Sequence, residues 1–321
     1  MNVPDWFAAT WQSLATRLER GALPHALLIC GDAGLGKRDL AKNLAAAALC
    51  EQRRTDGFAC GACRACRLIA AGSHPDLVNI TFELRDDGKP RSEIVIEQIR
   101  ALSQRLSLSS QFGGLQVAVI DPADKMNHSA CNALLKTLEE PTASTVIVLV
   151  SDHPARLPAT IRSRCQRVEA PLPGLAQSKA WLLANGVPPA LVDDALGAAL
   201  GNPGLALRAT GDDSLALREQ CRTDLGLLGN GRRSALAVAE AWAADRPQQR
   251  LWHAAALVRD ESLALASAGR GAFGLTGTHE IPKLAAWFAA ANRSRELLQS
   301  PVRAELLLLD LLHAWPSPRS T

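Results

Sequence analysis

Apolar runs alternate with helix-period segments through the first half of the chain. Residues 25–30, 77–82, 115–120, 146–150 and 165–169 read as strands, the first of them as a buried one. Residues 39–49, 96–107 and 129–139 carry helical spacing between them. From Pro4 to about Val168 this alternation predicts a parallel sheet with helices on both faces. The polar stretch 83–91, with Gly88 and Pro90, is expected to be a mobile surface loop, and Pro171-Leu172-Pro173-Gly174 is a clear breaker. Beyond it the pattern changes. Residues 175–210 suggest two or three short helices, punctuated by Gly186-Val187-Pro188-Pro189 and Gly201-Asn202-Pro203-Gly204. From Asp212 onward only amphipathic helices follow, interrupted near residues 269–278 and at Pro301. No strand pattern follows Glu169, and there is no internal repeat.

Composition narrows this picture only modestly. A chain of 321 residues has room for two or three domains, and 47% hydrophobic with 21% charged residues is ordinary for a soluble protein. No apolar run reaches the ~20 residues that span a bilayer. The start Met1-Asn2-Val3-Pro4-Asp5-Trp6 lacks the features of a signal peptide, so a cytoplasmic location without membrane contact is expected. A net charge of +3 gives no argument by itself for nucleic acid.

The segment Gly31-Asp32-Ala33-Gly34-Leu35-Gly36-Lys37-Arg38 lies between a strand and a helix and matches a phosphate-binding loop in all but its last position. Gly31, Gly36 and Lys37 are the candidate nucleotide-binding residues. Arg38 stands where a Ser or Thr hydroxyl should hold magnesium. Asp121-Pro122-Ala123-Asp124 ends the third strand. Asp121 suits a metal, but Pro122 occupies the position of the acid that would polarise water, a second lesion that argues against hydrolysis here. Loop-capping carboxylates are the plainer reading of Asp121 and Asp124. These residues leave open whether ATP or ADP is retained.

Four of the eight cysteines, Cys50, Cys60, Cys63 and Cys66, fall close together. In a reducing compartment this spacing reads as a structural Cys₄ zinc site, with Gly61 permitting the tight turn. An iron–sulfur cluster is the rival, although the usual trailing Cys-Pro is absent. Unliganded core thiols or a redox pair would also be compatible with this spacing. The remaining cysteines are most simply small buried hydrophobes. Thr160-Ile161-Arg162-Ser163-Arg164-Cys165 lies between a short helix and the last strand, where helix-end arginines are common.

Taken together, Leu23-Pro24-His25-Ala26-Leu27-Leu28, the cysteine module, Gly72-Ser73-His74-Pro75-Asp76, the stretch from Asn132 to Pro141 and Ile161-Arg162-Ser163-Arg164-Cys165 resemble one family. It is the delta-prime family of the bacterial DNA polymerase III clamp loader, an AAA+ relative. The match covers residues 23–165 and fades over the helical remainder. The resemblance implies an AAA+ core over 1–168, a small helical lid over 169–210 and a helical collar over 211–321 that oligomerises. It implies a subunit without intrinsic activity in a DNA-directed DNA polymerase holoenzyme. Expected partners are motor subunits of gamma/tau type and a delta subunit in a hetero-pentamer, with the sliding clamp and primer-template DNA reached through the assembly.

In this family Ser163-Arg164-Cys165 carries an arginine finger, so Arg164 is expected to act in trans on a neighbour's ATP. The lid arginine of the hydrolysing paralogue has no counterpart in register at Gly201-Asn202-Pro203-Gly204, the nearest being Arg208. Together with Arg38 and Pro122, this favours the non-hydrolysing subunit over an active gamma/tau-type ATPase. A nucleic-acid-binding zinc module is a third reading. Arg53, Arg54, Arg64 and Arg67 surround the cysteines, but Phe58 is the only nearby aromatic.

Overall fold

The five strand segments form one parallel sheet, four of them apolar and the last, Gln166–Glu169, largely polar. In a computed structural model describing residues 3–84, 88–89, 91–298 and 300–316, the chain divides into two units, Met1–Leu172 and Pro173–Thr321. The first unit begins with helix α1 (Ala8–Glu19), strand β1 (Ala26–Cys30) and helices α2 (Lys37–Leu49) and α3 (Arg64–Ala70). Strand β2 (Leu77–Ile80), helix α4 (Ile96–Leu106), strand β3 (Gln116–Ile120) and helix α5 (His128–Glu139) follow. Strand β4 (Thr145–Ser151), the single turn α6 (Ala159–Arg162) and strand β5 (Gln166–Glu169) complete it.

The spatial order is β2-β3-β4-β1-β5. Strands β1, β3 and β4 are buried along their whole length, while the edges β2 and β5 are partly exposed. A parallel sheet covered on both faces demands apolar central strands, which is why these runs do not alternate. On one face Ile99 and Leu102 of α4 and Leu134 and Leu138 of α5 pack with Leu28, Ile120, Ile147 and Leu149. The two-residue period of β1 sends Leu27 and Ile29 to the opposite face, where α2 buries Leu40, Ala41 and Leu44. Helix α5 starts where the Asn127 side chain accepts a hydrogen bond from Ala130 N at 2.9 Å. The segment 83–91, expected to be a mobile loop, lies partly outside the described residues.

The second unit is helical: α7 (Leu175–Ala184), α8 (Pro189–Ala198), α9 (Pro203–Gly211), α10 (Ser214–Gly229), α11 (Ala235–Ala244), α12 (Pro247–Ala268), α13 (Ile281–Leu297) and α14 (Ala304–His313). Its apolar side chains form two clusters. Leu182, Val187, Val192, Leu196 and Ala206 pack within α7–α9. Trp242, Leu225, Leu265, Leu284, Trp287, Leu308 and Trp315 pack among the later helices, with Trp287 and Trp315 edge-to-face at 5.1 Å. Trp252 of α12 joins the two groups by donating to Ala198 O at 2.9 Å. Among the described residues the only strand-like pairing after β5 is the bridge between Arg270 and Thr276. No helix among them is long and apolar enough to cross a membrane.

Candidate functional site

The glycine-rich segment leaves the C-terminal end of β1 and enters α2 at Lys37. Gly36 has φ +83°, and a Cβ there would stand 2.8 Å from Pro4 Cγ, so the N-terminal segment lies directly against the loop and only glycine fits. Trp6 reinforces the contact by donating its indole N–H to Leu35 O at 2.9 Å.

Lys37 does not project into open space. Its side chain is 1% exposed and its ammonium stands 2.6 Å from Asp152 Oδ1. It also donates to Gly31 O at 2.7 Å and to Asp32 O at 2.6 Å. Two carbonyls accept hydrogen bonds from the ammonium, and the Asp152 carboxylate lies beside it as its counter-ion. Arg38 donates through Nε to Asp121 Oδ2 at 2.8 Å and through Nη2 to Asp152 Oδ2 at 3.3 Å. Asp121 and Asp152 follow the C-terminal ends of adjacent strands, the place where open α/β sheets bind ligands. Asp124 is not aimed into the cluster; it accepts from Ser151 Oγ at 2.8 Å and Asp152 N at 3.1 Å, fixing the loop that carries Asp152.

The charges respond unequally. Burial pushes the Asp152 carboxyl upward, but Lys37 and Arg38 more than offset this and hold it below its ordinary value. At Asp121 burial wins over Arg38 and the carboxyl is raised. For Arg38, burial is outweighed by the two carboxylates and the guanidinium is held more firmly protonated. The loop's cations are therefore matched internally: an incoming phosphate would have to displace a carboxylate from Lys37. Sequence reasoning missed Asp152. Its only signal is a charged residue directly after an apolar strand beside the strand that ends at Asp121.

The cysteines converge as their spacing predicts. The sulfurs of Cys50, Cys60, Cys63 and Cys66 all lie within 4.8 Å of one another. Cys50 and Cys63 are 3.9 Å apart, Cys60 and Cys66 3.9 Å, and Cys50 and Cys66 3.7 Å. A tetrahedron with metal–sulfur bonds of about 2.3 Å has edges of about 3.8 Å, so the donor set fits one tetrahedral ion. None of the four is in a disulfide. Backbone N–H groups of Cys60, Cys63 and Cys66 donate to the sulfurs of Cys50, Cys60 and Cys63 respectively, at 3.3–3.4 Å. Such donors favour thiolates, and those from Ala62 and Cys63 lower Cys60 to about 6. Gly61 has φ +76°, the turn expected of it. The module is braced on α1: Phe58 stacks on Trp11 at 4.0 Å, and Trp11 donates to Asp56 O at 3.0 Å.

Arg164 follows α6 and belongs to neither cluster. Its Nη2 pairs with Glu139 Oε1 at 2.6 Å, and its Nη1 donates to Thr160 O at 2.9 Å. Arg162 and Ser163 are exposed, whereas Cys165 is buried.

The sequence profile of the family described as DNA polymerase III, delta subunit, matches residues 7–172. DNA polymerase III subunit delta' of Pseudomonas aeruginosa is 40% identical over 244 residues, 75% of this chain and 71% of that protein. The delta' subunit of Escherichia coli K12 is 34% identical over 218 residues, 67% of this chain and 63% of that protein. The tau subunit of E. coli K12 is 36% identical over 153 residues, only 48% of this chain and 22% of that protein. A match of 244 residues cannot be contained in the sheet-bearing unit of 172 residues, whereas one of 153 can. The likeness to delta' proteins therefore extends into the helical unit. The profile over residues 7–172 and the 40% identity across three quarters of the chain show that it belongs to the delta' family of DNA polymerase III subunits.

Proposed function

We propose that this chain is the non-hydrolysing stator of the clamp loader, a cytoplasmic subunit that helps place the sliding clamp on primed DNA. Its partners are motor subunits of gamma/tau type and a delta subunit in a hetero-pentamer. The carrying observation is the phosphate-binding loop. Lys37 is saturated by Asp152 and two loop carbonyls, and Arg38 is paired with Asp121 and Asp152. A loop in this state has no free cation for phosphate and no hydroxyl for magnesium. It therefore holds its own shape without a nucleotide, as a stator requires.

Cys50, Cys60, Cys63 and Cys66 would hold one zinc ion, which contributes folding free energy and, with all four positions taken by protein, no open coordination site. The AAA+ core (1–168), lid (169–210) and collar (211–321) are the expected functional divisions. The separate apolar clusters of α7–α9 and of the later helices support the second boundary. Arg164 acts in trans, its guanidinium stabilising charge on the ATP of the neighbouring motor subunit.

The test is reconstitution with motor and delta subunits, measuring ATP turnover of the assembly and of this chain alone. Turnover by the assembly and none by the chain is expected. Turnover by the isolated chain at a motor subunit's rate would overturn the reading.

A further inference from the structure

Arg164 makes one hydrogen bond and one ion pair, both at the guanidinium end of its side chain. Nη1 donates to Thr160 O at 2.9 Å, and Nη2 meets Glu139 Oε1 at 2.6 Å. The two terminal nitrogens are thus held by different elements, α6 on one side and the end of α5 on the other. The α5 end is itself anchored, since His25 Nε2 lies 3.2 Å from Leu138 O. A guanidinium has five N–H donors in one rigid plane. A hydrogen bond at one terminal nitrogen and an ion pair at the other restrict that plane while leaving N–H donors for a phosphate.

The pair has little to do for the fold. The Arg164 and Glu139 side chains are 36% and 49% exposed, and exposed ion pairs contribute little to folding. A long arginine side chain has substantial rotamer freedom to lose on meeting a ligand. Holding it in advance removes part of that loss from the moment of reaction.

Resting on the trans-acting reading of Arg164, we propose that Glu139 is a positioning residue for this arginine. Its carboxylate orients the guanidinium toward the neighbour's nucleotide and touches neither nucleotide nor metal.

The experiment is a double-mutant cycle in the reconstituted clamp loader, with clamp- and DNA-stimulated ATPase as the readout. Glu139→Gln keeps size and removes charge, and should lower the maximal rate by about two- to fivefold. The KM for ATP should stay nearly unchanged. Glu139→Asp should recover part of the rate. In the Arg164→Ala background Glu139→Gln should have no further effect, because the group it orients is gone.

Unchanged unfolding curves and metal content in both variants confirm that folding is not the cause. If Arg164→Ala lowers the rate but Glu139→Gln does not, the positioning role is wrong and the trans-acting role stands. A faster Glu139→Gln complex would make Glu139 a competitor and overturn the proposal. So would an equal loss in both backgrounds. If Arg164→Ala is silent, the trans-acting reading itself fails.

Discussion

Asp152, the first residue beyond β4, places its carboxylate 2.6 Å from the buried ammonium of Lys37. The lysine that would grip a phosphate in a working loop is gripped instead by its own protein. Asp152→Asn should therefore leave a buried ammonium with neutral acceptors only and destabilise the chain by about 1–3 kcal/mol. Denaturant unfolding measures this. The depressed Asp152 carboxyl gives stability that is present above the ordinary carboxylate value near ~3.9 and is lost as pH falls through the folded value. The variant should lack that part of the acid loss. Equal acid sensitivity in both proteins would mean the pair contributes nothing.

Lys37→Ala separates structure from catalysis. It should lower the stability of the chain, since a filled buried position is vacated, yet leave the ATPase of the assembled complex nearly unchanged. A large drop in a well-folded complex would identify this loop as a working site.

Metal analysis of purified protein should return about one zinc per chain. Removal by a chelator should lower stability, and Cys63→Ser should do the same, because binding free energy at a Cys₄ site is folding free energy. Iron in place of zinc, or a chain indifferent to chelation, would reject the assignment.

Arg164→Ala removes only partly exposed contacts, so folding stability should change by less than about 1 kcal/mol. The stimulated ATPase of the complex should fall about two- to tenfold, far less than the full effect of an arginine finger, because other sites in the ring keep their own. Arg164→Lys should rescue poorly, since an ammonium lacks the planar fork. Wild-type loading and turnover in the alanine complex would reduce Arg164 to a helix-end arginine.

His253 of α12 is 5% exposed. Burial first, then the nearby Arg218, pushes its pKa down to about 4. The unfolded chain takes up this proton below ~6.5, the folded chain only near 4, so stability should fall as pH drops through that interval. The histidine's share is on the order of 3 kcal/mol, at about 1.4 kcal/mol per pKa unit. Comparing unfolding of the wild type with His253→Gln across pH 4–7 isolates it from proton uptake by the cysteines. Parallel curves would show that the imidazole is not the cause.

Much of the fold is legible in the residues alone. The strands at β1, β3 and β4 can be read because buried parallel strands must be apolar throughout, and all three are fully buried. The cysteine site can be read because tetrahedral coordination constrains spacing, and the four sulfurs do converge. The change at Arg38 is visible as a missing hydroxyl, but its consequence is not. The absence of a hydroxyl is read from one position, whereas Arg38 reaching Asp121 and Asp152 depends on residues 83 and 114 positions away.

Residue order alone carries the alternation that builds the sheet, the spacing of four cysteines that could hold a metal ion, and the presence of Arg38 and Pro122 where a hydroxyl and an acid would otherwise stand. These follow from local periodicity, ligand chemistry and residue type. Folding alone brings Asp152 to Lys37 and Glu139 to Arg164. Both pairs join residues on different elements, Asp152 beyond β4 with Lys37 of α2 and Glu139 of α5 with Arg164 after α6. A charge has no preferred spacing along the chain. Its partner is chosen by which strand ends and helix ends the sheet brings within a few ångströms.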